Sequence, residues 1–319
     1  MTVGEKKGIP QNIRDIFNAT GTSHILAISG LHVGIIAFLS IFFMMTALRH
    51  WQWIVLRFNI RIISHVAAIF PVVFYALIAG GGISVIRATI MILTFMLALL
   101  LGRGRDLFNT LAMAGFMILI ITPYSFFDVS FQLSFSAVAA ILLISPVLMP
   151  KQLPEVPSLR TKIYRSLMGM GAVSFSAILG TWPLVSYYFN IFSPVALLAN
   201  LLAVPIFGFI ALPLSLAGTI AIFLYPPLAI ILFSWASQAV AAALSVVDFL
   251  AALPYASLVV VPPAIWQALL YWAFLIVITL RLKVFRGLTA IHPSILRGVN
   301  YAIPLIIFIY LGTALFGYA

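Results

Sequence analysis

Between Arg61 and Arg103 this chain carries one formally charged side chain, Arg87. A run of that length cannot be the surface of a water-soluble domain, in which about 25% of residues are charged. The whole chain repeats the pattern, with 64% hydrophobic and 7% charged residues. Lipid is the solvent such a sequence fits. At about 20 residues per crossing of the hydrocarbon core, 319 residues make room for about ten helices with short connections. The expected fold is an all-α integral membrane protein, a bundle of about ten transmembrane helices.

Residues 1–24 are expected to form an amphipathic interfacial segment ahead of a polytopic domain at 25–319. Ile9, Ile13, Ile16 and Phe17 recur at helical spacing, and Pro10 suits a first turn. These residues lack the apolar core of a cleaved signal peptide, so the first apolar run should persist as a helix. The expected spans are 25–48, 64–80, 83–101, 107–122, 128–148, 167–189, 194–224, 228–250, 259–280 and 300–318. Gly80, Gly81 and Gly82 supply the tight turn between the second and third. The stretch 194–224 is long for one span and holds Pro205 and Pro213. At least one broken or re-entrant segment is expected there, where protein or water must surround the freed backbone groups.

Basic residues set the orientation. Arg49, Arg57 and Arg61 follow the first span, Arg103 and Arg105 the third, and Lys151, Arg160, Lys162 and Arg165 the fifth. Arg281, Lys283, Arg286 and Arg297 follow the ninth. Even numbers of crossings separate these clusters, so all fall on one side, which the positive-inside rule makes cytoplasmic. Both termini are then expected outside, and Tyr124, Tyr187, Tyr188 and Tyr255 sit at outer ends as an aromatic belt would. The net charge of +11 is accounted for chiefly by these loops.

Several chemistries lack their residues. The chain has no cysteine, which removes disulfides and thiolate sites. No phosphate-binding loop G-x-x-x-x-G-K-[ST] and no H-E-x-x-H occurs, and Ser29 does not lie in a G-x-S-x-G turn. No catalytic residue, metal site or cofactor is expected. Polar residues inside apolar spans are costly and face protein or water, so these are the candidates. Ser29 and His32 share one face of the first span, with Gly30 and Gly34 on roughly the opposite face as a G-x-x-x-G packing pair. His32 reads either as an interhelical hydrogen bond or as a proton- or substrate-handling group. Arg87 either snorkels to the outer surface or presents a fixed positive charge to a cavity. Asp128 is a helix cap or part of a polar row continued by Gln132. Ser234, Gln238, Ser245 and Asp248 fall in a stripe about 80° wide, a polar seam that serves either packing or a pathway. Asn200 places an amide near Pro205. These features alone describe a transporter or channel with a polar interior, or an intramembrane enzyme built on Ser29 and His32.

The stretch Gly21-Thr22-Ser23-His24-Ile25-Leu26-Ala27-Ile28-Ser29-Gly30-Leu31-His32-Val33-Gly34 resembles the signature of the ComEC family of bacterial competence DNA-uptake channels. Ser84–Met91, Asp128–Phe135 and Ser193–Pro205 match in the same order, across about 190 residues in all. What the resemblance implies is a transmembrane competence domain in the bacterial inner membrane that passes single-stranded DNA into the cytoplasm. It further implies a cytoplasmic helicase-like ATPase as motor and an extracellular DNA receptor as supplier. Members often add an OB-type domain and a metallo-β-lactamase-like nuclease. This sequence shows neither, so nuclease activity is not expected of it. His32, Arg87, Asp128, Gln132 and Asn200 lie within the matched stretches.

Overall fold

A computed structural model describes residues 9–26, 30–104, 106–149 and 158–285. Its helices are α1 (Gln11–Ala19), α2 (Gly30–Arg49), α3 (Gln52–Arg57), α4 (Ile60–Ile78), α5 (Ile83–Leu100) and α6 (Leu107–Ile121). They continue as α7 (Val129–Leu148), α8 (Leu159–Phe189), α9 (Ala196–Pro205), α10 (Leu212–Leu224), α11 (Pro226–Ala251) and α12 (Ile265–Phe285). Among the described residues, eight helical rods are long and apolar enough to cross a membrane, counting 196–224 as one, and α6 is a shorter apolar helix. The chain is an all-α, multi-pass membrane protein. Its first nine expected spans each correspond to one of these helices; the tenth, 300–318, lies outside the described residues.

The rod at 196–224 resolves the expected interruption. Its backbone stays right-handed helical through Pro205, Ile206, Ala211 and Leu212, and the section Ile206–Ala211 is π-helical. The interruption is therefore one of hydrogen-bond register rather than of direction. A π section widens the helix and is a recognised way to absorb irregular bonding, here between Pro205 and Pro213.

The described residues fall into two compact units, one within 9–131 and 193–258, the other within 132–192 and 259–285. In the first, α2 packs on α4 and α5, with Val33, Ala37, Ala68, Val72, Tyr75, Val85 and Ala88 buried together. A second core joins α1 to the rod and to α11: Phe17, which is fully buried, meets Ala203, Phe207, Ala243 and Val247. The Phe17 and Phe207 rings lie 6.0 Å apart. The apolar face of α1 is thus covered by protein. In the second unit Ala140, Ile144 and Leu275 form the core, and the Tyr271 hydroxyl donates to the Leu179 carbonyl at 2.9 Å. Gly180 lets α7 and α8 close up: a Cβ there would fall 2.3 Å from Ala140 Cβ and 2.9 Å from the Ser136 carbonyl oxygen.

Hydropathy places the helix ends inside the membrane, and α4 and α8 start ahead of them. α4 begins at Ile60, which brings Arg61 into its first turn, and α8 begins at Leu159, eight residues ahead of the expected 167. α12 starts only at Ile265, after Pro262 and Pro263, and not at 259. Short helix α3 occupies part of the expected loop 49–61, with Trp51 and Trp53 exposed and the Arg57 guanidinium 5.1 Å from the Trp53 ring.

Candidate functional site

Each of the four motif stretches touches another within the first unit, and each contact has a local cause. After α1 the chain must reverse, and Gly21 does so with φ +67°, a conformation that side chains disfavour. A Cβ on Gly21 would also lie 2.9 Å from Ala196 Cβ, so the first stretch seats directly on the start of α9. Thr20 and Thr22 are fully buried and share a 2.8 Å hydrogen bond, and the Thr20 hydroxyl donates to the Ile16 carbonyl at the end of α1. In this way the turn satisfies its own polar groups, as burial requires.

Gly30 and Gly34 are the next contact. Cβ atoms there would meet Ala88 Cβ at 4.0 Å and Ile92 Cδ1 at 3.9 Å, so the G-x-x-x-G pair packs on α5 one turn at a time. Leu31, on another face of α2, fills the space over Gly208, where a Cβ would stand 2.9 Å from Leu31 Cδ2. The π section thus holds its glycine where α2 crosses it.

Arg87 supplies the polar contact. It is 3% exposed, and its Nη1 donates to Asp128 Oδ1 at 2.9 Å, while Nη2 donates to Ser130 Oγ. Asp128 Oδ1 also accepts from the Phe131 amide at 3.0 Å, which makes it the N-cap of α7. Partial burial works to raise the Asp128 carboxyl, but the Phe131 amide and Arg87 outweigh it and hold the group below the ordinary carboxylate value. Arg87 therefore neither snorkels nor presents a bare charge. It is neutralised by Asp128, and Arg87 Nε is buried without a hydrogen-bond partner. Ser130 was not among the expected residues; the signal for it is its position two residues beyond the cap, where a hydroxyl can reach the same guanidinium.

The remaining candidates separate. Ser29 lies outside the described residues. His32 is buried on α2, and Asn200 is buried on α9 with Oδ1 unpartnered. Gln132 belongs to the second unit, where its Oε1 accepts from the Tyr188 hydroxyl at 2.9 Å. The seam of Ser234, Gln238, Ser245 and Asp248 lies on the exposed side of α11, away from the buried Ala229, Ala236, Ala243, Val247 and Leu250. Its hydroxyls bond within their own helix: Ser245 Oγ donates to the Ala241 carbonyl at 3.0 Å, and Gln238 Nε2 donates to Ser234 Oγ at 3.4 Å.

The family model described as "Competence protein" matches residues 1–285. ComE operon protein 3 of Bacillus subtilis is 25% identical over 313 residues, covering 97% of this chain and 37% of its own. Recombination protein 2 of Haemophilus influenzae is 27% identical over 68% of this chain and 27% of its own, and competence protein ComA of Neisseria gonorrhoeae 26% over 70% and 30%. The chain spans between about a quarter and two fifths of the length of these relatives. No solved structure matches it. The match across most of the chain, on helices of membrane length, makes this a multi-pass membrane protein of the competence protein family.

Proposed function

We propose that the chain forms the inner-membrane passage through which single-stranded DNA enters the cytoplasm, with both termini outside. The observation that carries this reading is the competence family match over residues 1–285, in a chain built of membrane-length helices. Competence is the uptake of DNA, and a polyanion crosses hydrocarbon only where protein lines its way. In the first unit the exposed α11 seam is the proposed lining. Its hydroxyl and amide groups can exchange hydrogen bonds with base edges and sugar oxygens. None of them is a Lys or Arg, so none traps a phosphate. Arg87 and Asp128 hold α5 to the start of α7 in this scheme.

The chain acts here as a conduit without catalysis of its own. Lacking a phosphate-binding loop, it takes its driving force from a partner, for which a cytoplasmic helicase-like ATPase is proposed, and its strand from an external DNA receptor. Commitment of the Asp128 carboxylate to Arg87 and the Phe131 amide favours this reading over a proton relay through His32 and Asp128.

Ser245→Leu in a transformable host tests the lining. Ser245 is exposed and its hydroxyl bonds only within α11, so leucine leaves the fold intact. Transformation should drop at least tenfold at unchanged membrane abundance. Normal transformation by Ser245→Leu combined with Ser234→Leu would remove α11 from the passage.

A further inference from the structure

Helix α8 is too long for the membrane it crosses. Its 31 residues reach about 46 Å at 1.5 Å per residue, against a hydrocarbon core of about 30 Å. Even tilted by ~40°, the upper end of the usual range, it would span about 35 Å. The far end is fixed by aromatic residues suited to an interface, Tyr187 and Tyr188, whose rings meet edge to face at 5.0 Å. The excess therefore lies at the start, in the two turns Leu159–Ser166.

Those two turns carry Arg160, Lys162, Tyr164 and Arg165, and all four are exposed. Arg160 and Tyr164 are four residues apart, as are Thr161 and Arg165, so they form neighbouring rows on one side of the helix. Lys162 lies about 60° beyond Arg165 and on the side opposite Arg160, so the three cations are spread around the two turns. No acidic residue occurs from Ser158 to Asn190, so nothing on the helix offsets the three cations. At an ordinary tilt of ~20° the projection clears the hydrocarbon by about 13 Å. The lipid headgroup layer adds only about 5–7 Å per side; at about 1.4 Å of depth per residue at that tilt, Arg160 and Lys162 stand beyond it and Tyr164 and Arg165 lie at its outer edge.

We propose that residues 159–166 of α8 are a binding site for single-stranded DNA on the cytoplasmic side, resting on the reading of the chain as a DNA passage. Arg160, Lys162 and Arg165 contact phosphates of a strand that curves around the two turns, and the Tyr164 ring stacks on a base. Three cations and one ring on two turns give affinity without sequence preference, which a strand of arbitrary sequence requires. With its first turn outside the membrane, the site takes hold of the strand only after it has passed a lining without Lys or Arg.

The full chain in phosphatidylcholine nanodiscs, with a fluorescent oligothymidylate as probe and anisotropy as readout, tests the site. Arg160→Gln/Lys162→Gln/Arg165→Gln should lower affinity at least tenfold and reduce the slope of log K against log salt by about 2, at ~0.7 per phosphate contact. Tyr164→Ala should lower affinity by roughly fivefold or more with the slope unchanged, and Tyr164→Phe should restore it. Arg160→Gln alone, at an exposed position, should still lower affinity if the triple variant does not fold. Parent-like affinity and slope in the cation variants would overturn the site while leaving the passage reading intact. Binding lost only in phosphatidylglycerol nanodiscs would also overturn it, by assigning the cations to lipid phosphate. Absence of binding by the parent chain would overturn the site as well. DNA passage through a bilayer would then still decide the function separately.

Discussion

Replacing Asp128 with asparagine keeps the size of the side chain and its capping oxygen, and removes only the charge facing Arg87. Arg87 is 3% exposed and Asp128 35%, so the two partners are not equivalent. Losing the acid strands a guanidinium in the interior, whereas losing the base leaves a carboxylate that water and the Phe131 amide still solvate. Removing one member of a fully buried pair costs about 3–5 kcal/mol. Because Asp128 is partly wet, the cost here should be lower, about 2–3 kcal/mol for Asp128→Asn. Arg87→Gln should cost about 1 kcal/mol, roughly the worth of one hydrogen bond. With thermal unfolding shifting roughly 2–4 °C per kcal/mol in a chain this large, Asp128→Asn in detergent should melt about 5–10 °C below the parent. Adding Arg87→Gln to it should recover part of the loss, since the two substitutions remove one shared interaction. The pH dependence has a definite sign. The folded state holds the Asp128 carboxyl below the ordinary carboxylate value. The stabilisation is therefore complete above pH ~4 and is lost as pH falls through the lower folded value. The gap between parent and Asp128→Asn should be constant above pH ~4 and close below it. Equal losses from the two single variants, adding in the double, would refute the asymmetric ion pair.

Gly180→Ala should destabilise by about 1–3 kcal/mol through forced separation of α7 and α8, whereas Gly171→Ala, on the same helix with nothing within 4 Å of its Cβ position, should be neutral or stabilising; equal melting temperatures would refute the close approach at Gly180. Single cysteines in this cysteine-free chain test the orientation. A membrane-impermeant maleimide should label Tyr124→Cys but not Arg160→Cys in intact cells, and the opposite pattern would invert the topology.

Hydropathy was enough to locate nine helices, because it is a property of single positions along the chain. Helix ends were less legible where the backbone keeps its bonds after the side chains turn polar. α8 begins at Leu159 because Ser158 caps it by accepting from the Thr161 amide at 3.2 Å, and a hydropathy window does not register a cap. Pro205 and Pro213 announced an irregularity but not that the helix would widen instead of breaking. At the candidate site the G-x-x-x-G spacing pointed to close packing without naming α5 as the partner. The Arg87–Asp128 pair spans 41 residues, and no local pattern carries that pairing. The α11 seam shows the same limit from the other side. Its period was plain in the sequence, yet a polar stripe has the same period whether it meets protein or faces away, and here it is exposed.

The central claim is that this chain conducts single-stranded DNA across a bilayer, and single-channel recording tests it most directly. The full chain would be reconstituted in a planar bilayer with a single-stranded oligonucleotide on the side of Tyr124, held positive on the opposite side. The account predicts transient current blocks whose duration grows with strand length, the appearance of the oligonucleotide in the far chamber by amplification, and no passage of the same sequence as a duplex. A bilayer that conducts small ions with no strand-length-dependent blocks, and no DNA in the far chamber, would contradict it.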